Sequence, residues 1–303
     1  MAQGVVIVFS LLAAICMAIG IVVRQRATMD VPHDQGVSAT MVTTLLRKRL
    51  WWIGTGVAVL GYVCQAVALV EGSLLVVQPL LVSSLLFALP LSAKLAGRRV
   101  TATEWGWAVL LTVALAVFVV LARPRPGLYR GQELAWTVAT LVIAPIVVFC
   151  VVFGARSTGR RRAVLIAIAV GVLFGLVAVL TKLVMYQLAE DGIFGPIRLP
   201  ALYLLAAVGV AAMLLQQSAF HAGALQASVP TMLVLEPVVA VMLGALVLNE
   251  HLTLSGYDTV ALPIAIAAMA AATIALGRDE GAYEEQLEAK LTRRAKTSSR
   301  SGK

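Results

Sequence analysis

The stretch 50–93 reads LWWIGTGVAVLGYVCQAVALV EG SLLVVQPLLVSSLLFALPLSA, and it decides the fold. Two apolar runs, 50–70 and 73–93, are separated only by Glu71 and Gly72. A helix that crosses a bilayer needs about 20 mostly apolar residues, because every backbone N–H and C=O must be satisfied within its own segment. Both runs meet that length. Two residues leave room only for a reversal, so the pair is expected to form an antiparallel hairpin of membrane helices. Glycine suits so sharp a turn.

Working outward from the hairpin, the same test finds nine runs: 5–23, 50–70, 73–93, 105–121, 134–153, 163–186, 201–220, 224–248 and 257–276. The seventh and eighth turn sharply at His221, Ala222 and Gly223. Composition agrees with this reading. The chain is 60% hydrophobic and 13% charged, with a mean hydropathy of +0.94, whereas soluble domains carry about 25% charge. Cys16, Cys64 and Cys150 fall inside apolar runs with no metal-ligand spacing, which leaves disulfide or zinc chemistry nothing to build on. The first run begins almost at Met1 without a positive n-region, so it reads as a retained helix rather than a cleaved signal.

The net charge of +9 sits between and after the runs, which suits orientation against a membrane better than nucleic-acid binding. With nine crossings the two ends lie on opposite sides. Placing the C-terminus inside collects Arg24, Arg26, Arg47, Lys48, Arg49, Lys94, Arg98, Arg99, Arg156 and Arg160 to Arg162 in the cytoplasm, with the basic tail. Arg123, Arg125, Arg130 and Arg198 remain outside. An N-out, C-in orientation is therefore expected in the inner (plasma) membrane. The stretch 38–49 is expected to lie along the inner interface. The tail, 278–303, turns from acidic to basic and fits a short helix carrying Tyr283, Leu287 and Leu291 on one face. Such a tail either pins topology or meets anionic lipid or a partner.

Many transporters consist of two halves that are inverted copies of one another. A shift of 151 residues lays Gln65, Ala68, Gly72, Leu74 and Pro79 on Gln216, Ala219, Gly223, Leu225 and Pro230. One further residue of shift lays 100–105 on 252–257. The paired glycine turns and prolines, seven apart in both copies, carry most of the weight. The expected fold is all-α, a polytopic membrane protein of nine transmembrane helices. Its transmembrane domain, 1–277, holds repeat 1 (about 5–122), an unpaired linker helix (134–153) and repeat 2 (about 163–276). The odd crossing between the two four-helix repeats inverts the second.

On these residues the chain resembles the drug/metabolite transporter superfamily, of the EamA-like kind. The clearest part is LEPVVAVMLGALVLNEHLTLSGY at 235–257, similar to that superfamily's segment running from a proline to an acidic residue. The matching first-half region, LSAKLAGRRVT at 91–101, has Arg98 or Arg99 where the acidic residue is expected. Nine helices, the loop after the first, Trp51-Trp52-Ile53-Gly54 and GSLLVVQP at 72–79 look more like the NIPA-type magnesium-transporter branch. In that hairpin Gln78 replaces a small residue, and Leu80-Leu81 does not reproduce the branch's leucine-glycine.

Among candidate site residues Glu236 stands out, at the centre of the eighth run, where an unpaired charge costs about 2.5 to 3.5 kcal/mol on insertion scales. It reads as a substrate-, proton- or cation-binding carboxylate, or as a neutral carboxyl bonded to a neighbouring helix. Pro230 and Pro237 beside it, like Pro79 in the first half, are expected to break their helices and free carbonyls. Lys182 either snorkels to the interface or faces inward to bind an anionic group or neutralise Glu236. Gln65 and Gln78, facing each other across the hairpin, and Gln216 and Gln217 suit a hydrated pathway or plain interhelical bonding. Trp51, Trp52 and Trp105 read as interface anchors, and Gly171 with Gly175 as close packing within the chain. Glu250 and Asp258 read as exterior surface charges. His33, His221 and His251 lie in separate loops and make no metal site.

No nucleophile with its base, phosphate loop or dinucleotide fingerprint is present, so neither an enzyme nor a cofactor is expected. The expected function is a secondary transporter of a small metabolite or organic cation by alternating access. Its partners are membrane lipids, that substrate and, compatibly, further copies of itself, with no nucleic acid. A NIPA-like magnesium transporter is the second reading, with Glu236 as metal ligand. It ranks lower because a hard cation wants several oxygens. A third reading is a non-transporting partner of envelope lipid or cell-wall machinery.

Overall fold

The computed structural model describes residues 2–29, 47–95, 99–121, 124–125, 133–192, 194–197, 199–221, 225–252 and 257–301. The expected interfacial stretch 38–46, the turn at 222–223, Arg98, and the side chains of Gln217, the tail from 280 and His221 lie outside the described residues and side chains. Among the described residues eleven helices follow in chain order: α1 (Ala2–Met29), α2 (Arg49–Glu71), α3 (Leu74–Leu81), α4 (Ser84–Leu95), α5 (Ala102–Leu121), α6 (Glu133–Ala155), α7 (Gly159–Asp191), α8 (Phe194–Ile197), α9 (Pro200–His221), α10 (Leu225–Val247) and α11 (Asp258–Ser301). Outside them, β1 (Pro124–Arg125) pairs antiparallel with β2 (His251–Leu252), Arg125 opposite His251. Among the described residues eight helical stretches are long and apolar enough to cross a bilayer. This is the architecture of a multi-pass membrane protein.

The hairpin at Gly72 forms as expected, α2 stopping at Glu71 and α3 starting at Leu74. The third run is not one helix but two. Its interruption falls at Val82 and Ser83, where the ladder shortens: Val82 N–H reaches the Pro79 carbonyl, and Ser83 N–H that of Leu80. The Ser83 hydroxyl takes the same Leu80 carbonyl at 2.6 Å, a side chain competing with the backbone one residue at a time. Pro79 lies inside α3, three residues before this joint.

Pro230 and Pro237 correct the expectation of broken helices, because α10 runs without interruption through both. Each proline removes one backbone donor without ending the helix. Next to Pro230 the Thr231 hydroxyl donates to the Ala227 carbonyl at 2.7 Å. The tail differs too: a short separate helix was expected after Arg278, whereas α11 continues unbroken to Ser301. At the start of α5, Thr101 and Glu104 form a reciprocal capping box. Thr101 N–H donates to Glu104 Oε2 at 2.6 Å and Glu104 N–H to Thr101 Oγ1 at 3.2 Å.

Small residues set the helix packing. α1 and α2 run antiparallel, since Gly20 meets Ala58 and Gly54 while Gly61 meets Met17 and Ala13. Gly171 and Gly175 make the expected close contact within the chain. A Cβ on Gly171 would lie 2.6 Å from Leu235 Cβ, and one on Gly175 would lie 2.7 Å from Val239 Cβ. Four residues along α7 thus correspond to four along α10, so these helices run parallel, each side chain seated in a glycine notch. The chain must travel back between them, and α9 is the 22-residue helix available for that return.

Gly171→Ala forces one side of this seam apart and is expected to cost about 1–3 kcal/mol. Gly209→Ala is the comparison: nothing lies within 4 Å of a Cβ there, so it should be neutral or stabilise by about 0.5–1 kcal/mol. Thermal unfolding of the two variants in detergent measures the difference. Equal midpoints would mean the notch is not tight.

Two large interior clusters stand out among the described residues. One joins α3 and α4 to α5 and α11 through Leu80, Leu85, Leu111, Phe118 and Leu276. The other joins α1, α2 and α3 to α7 and α10 through Ala13, Leu69, Leu74, Val179 and Leu243. Leu141, Val148 and Phe149 on α6 and Val260 and Ile264 on α11 are exposed, as side chains facing lipid are.

Candidate functional site

Glu236 lies midway between Leu225 and Val247, the ends of α10. It is half-buried and makes no hydrogen bond or ion pair among the described residues. A Cβ on Gly171 would come within 3.5 Å of its backbone N, so α7 covers one side of it. Its depth follows from the other helices. Leu74, at the start of α3, sits 3.2 Å from a Cβ on Gly244, and α3 runs away from the end where α10 finishes. Eight residues, or about 12 Å, down each helix bring Val82 level with Glu236. The joint between α3 and α4 and the free carboxyl of α10 therefore share one level of the bundle.

Lys182 takes the inward course rather than snorkelling, but the anionic group it meets is not Glu236. Its ammonium makes an ion pair with Glu250, the side chains 3% and 0% exposed. It also donates to the Gly72 carbonyl at 2.6 Å. Glu250, expected on the exterior surface, is fully buried. Its Oε2 accepts from the Ser73 hydroxyl at 2.7 Å and from Leu74 N–H at 2.9 Å. Ser73 caps α3 in turn, its oxygen accepting from Leu75 N–H at 3.1 Å.

Local structure explains how Glu250 comes inward. Asn249 adopts a left-handed conformation, φ 53°, which asparagine tolerates better than most residues. The next N–H, that of Glu250, returns to the Gly244 carbonyl at 3.1 Å. This closes the helix end as a C-cap does and turns the carboxyl back over the bundle. There it meets the first N–H groups of α3, where the helix dipole favours negative charge. The carbonyl of Gly72, just past the end of α2, takes the positive partner.

The remaining candidates divide. Gln78 is 2% exposed and its Nε2 has no partner. The hydroxyls of Ser10, Thr55 and Ser228 likewise have no partner among the described residues. Ser10 lies a turn below Val6, which touches a Cβ on Gly72, so Ser10 and Gln78 fall at similar depth on α1 and α3. Gln65 is buried, but no hydrogen bond joins it to Gln78. Gln216 is half-buried on α9 and is not joined to Glu236. Among the described residues, no group of three His, Cys, Asp or Glu could hold a metal ion. Glu250 is the site residue that loop position conceals. The signal for it was its place at the acidic position of the 235–257 segment.

No family model matches the chain, and no solved structure matches it. It is 38% identical to an uncharacterized protein of Corynebacterium glutamicum over 272 residues, which make up 90% of this chain and 94% of the relative. The likeness extends over nine-tenths of the chain, and the chain belongs to the family of that Corynebacterium glutamicum protein.

Proposed function

We propose that this chain is a secondary transporter of the drug/metabolite type, moving a small metabolite or organic cation across the inner membrane by alternating access. The observation that carries the reading is Glu236: an acid at the midpoint of a spanning helix, half-buried, unpartnered among the described residues and level with a helix joint. An ionisable group at such a depth is expensive unless it serves a ligand or ion. The parallel course of α7 and α10 supports nine crossings, with α9 as the seventh. The packing of α3 on α10 and of α5 on α11 supports an inverted duplication, since these helices are counterparts in the two proposed repeats. Orientation N-out and C-in rests on the basic loops.

In this mechanism the two halves rock about the level of Glu236, which takes up a proton or the cationic group of the substrate on one side and releases it on the other. Gln78, with a buried amide donor to offer, is the polar group on the facing half. A magnesium ion would want several oxygens, and the lack of an acidic cluster among the described residues ranks that reading second.

Purified protein in proteoliposomes, given a panel of organic cations, amino-acid-sized metabolites and Mg²⁺, provides the test. Glu236→Gln keeps shape and removes charge, and flux of the accepted substrate should fall at least about tenfold while Gly209→Ala keeps it. Unchanged flux would remove Glu236 from the mechanism. Absence of flux for the whole panel would favour a partner protein that transports nothing.

A further inference from the structure

The Lys182–Glu250 pair is built within one half of the chain, on α7 and just past α10. These helices are interlocked through Gly171 and Gly175. What the pair holds belongs to the other half: the Gly72 carbonyl, the Ser73 hydroxyl and the Leu74 N–H, three consecutive residues of the α2–α3 turn. We propose that this charge pair is a socket, that the Gly72–Ser73 turn is the plug seated in it, and that withdrawal of the plug opens this end of the transporter.

Three features favour a gate over a simple brace. First, the seal joins the two halves at one end of the bundle, next to the pairing of β1 with β2 that joins them again. Second, the plug matches the socket in polarity: a carbonyl faces the ammonium, and a hydroxyl and an N–H face the carboxylate. Third, the glycine-notched seam keeps Lys182 and Glu250 together when the turn leaves. Opening therefore exchanges three hydrogen bonds for water and leaves neither charge unpaired. Separating the ions themselves would leave uncompensated buried charge.

The inference rests on the alternating-access reading, but its test needs no substrate. In a chain with Cys16, Cys64 and Cys150 replaced by alanine, one cysteine is introduced at Val77, beneath the plug. In a second chain it is introduced at Ala167, buried towards the opposite end of α7. A membrane-impermeant maleimide is applied to right-side-out and to inverted vesicles. Removing the socket with the double change Lys182→Met and Glu250→Leu should raise labelling of V77C from the Glu250 end about tenfold and lower labelling of A167C from the other end. Ser73→Ala, which removes one of the three bonds together with the hydroxyl that caps α3 at Leu75 N–H, should shift both in the same directions by a smaller factor.

The exchanged pair, Lys182→Glu with Glu250→Lys, should label like the double apolar variant, because the turn cannot reverse its own polarity. Unchanged labelling in a monodisperse double variant would overturn the gate, and so would labelling that rises at both positions, the mark of general loosening. Normal labelling shifts without flux would sink the transport reading and leave the socket standing. Flux without labelling shifts would do the reverse.

Discussion

Glu250→Leu alone is expected to destabilise the protein by about 3–5 kcal/mol, because it leaves Lys182 charged and buried with its carboxylate gone. Lys182→Met alone should cost a similar amount, stranding the carboxylate. Their combination removes more polar atoms than either, yet should cost clearly less than each single change. No ion then remains to be desolvated, and the freed groups of the turn can reach water when the plug lifts. Thermal unfolding of the three variants in one detergent decides this. A double variant as unstable as the sum of the singles would mean that the two side chains act independently.

Gly72→Val should do comparable damage for a different reason. The backbone at Gly72 is extended, φ −102°, so conformational freedom is not what selects glycine here. Space selects it: a Cβ would sit 2.6 Å from the Ala68 carbonyl oxygen and 2.6 Å from Val6 Cγ1. Backbone oxygen cannot swing aside as a side chain can. Any displacement also moves the carbonyl that Lys182 uses. A loss of about 3 kcal/mol, at the upper end of overpacking effects, is expected. Val6→Ala in the same chain should restore part of it by vacating one of the two contacts. Full restoration would show that the Ala68 oxygen is not a constraint. Recovery of monodisperse protein and its unfolding midpoint provide the measurements.

Much of this architecture was legible in the sequence because a bilayer imposes one rule on every segment. Length and apolarity locate the spanning runs, and a turn too short for anything else fixes the hairpin at Gly72. The notch at Gly171 and Gly175 was legible as small residues one turn apart. Glu236 was legible because a charge amid apolar neighbours needs no partner to be noticed. Glu250 shows where such reading fails. Next to a loop, a carboxylate is ordinarily solvated, and what buries this one lies 68 residues away at Lys182 and 177 away at Ser73. No local pattern holds that information. Proline misled in the opposite direction: Pro230 and Pro237 lie within a helix that stays whole, while the joint in the third run falls at Val82 and Ser83, beyond Pro79. A missing donor is a local property, but whether the helix yields depends on what packs around it. Gly277 of α11 lets that helix pack close against α10 at Pro230.

That joint makes α3 an arm of eight residues with an elbow at one end and the gate turn at the other. At about 1.5 Å per residue the arm is about 12 Å long. Bending the elbow by about 15° carries its tip about 3 Å, the length of one hydrogen bond. A small angular change at the depth of Glu236 is therefore large enough, without melting any helix, to seat or unseat the turn at Gly72.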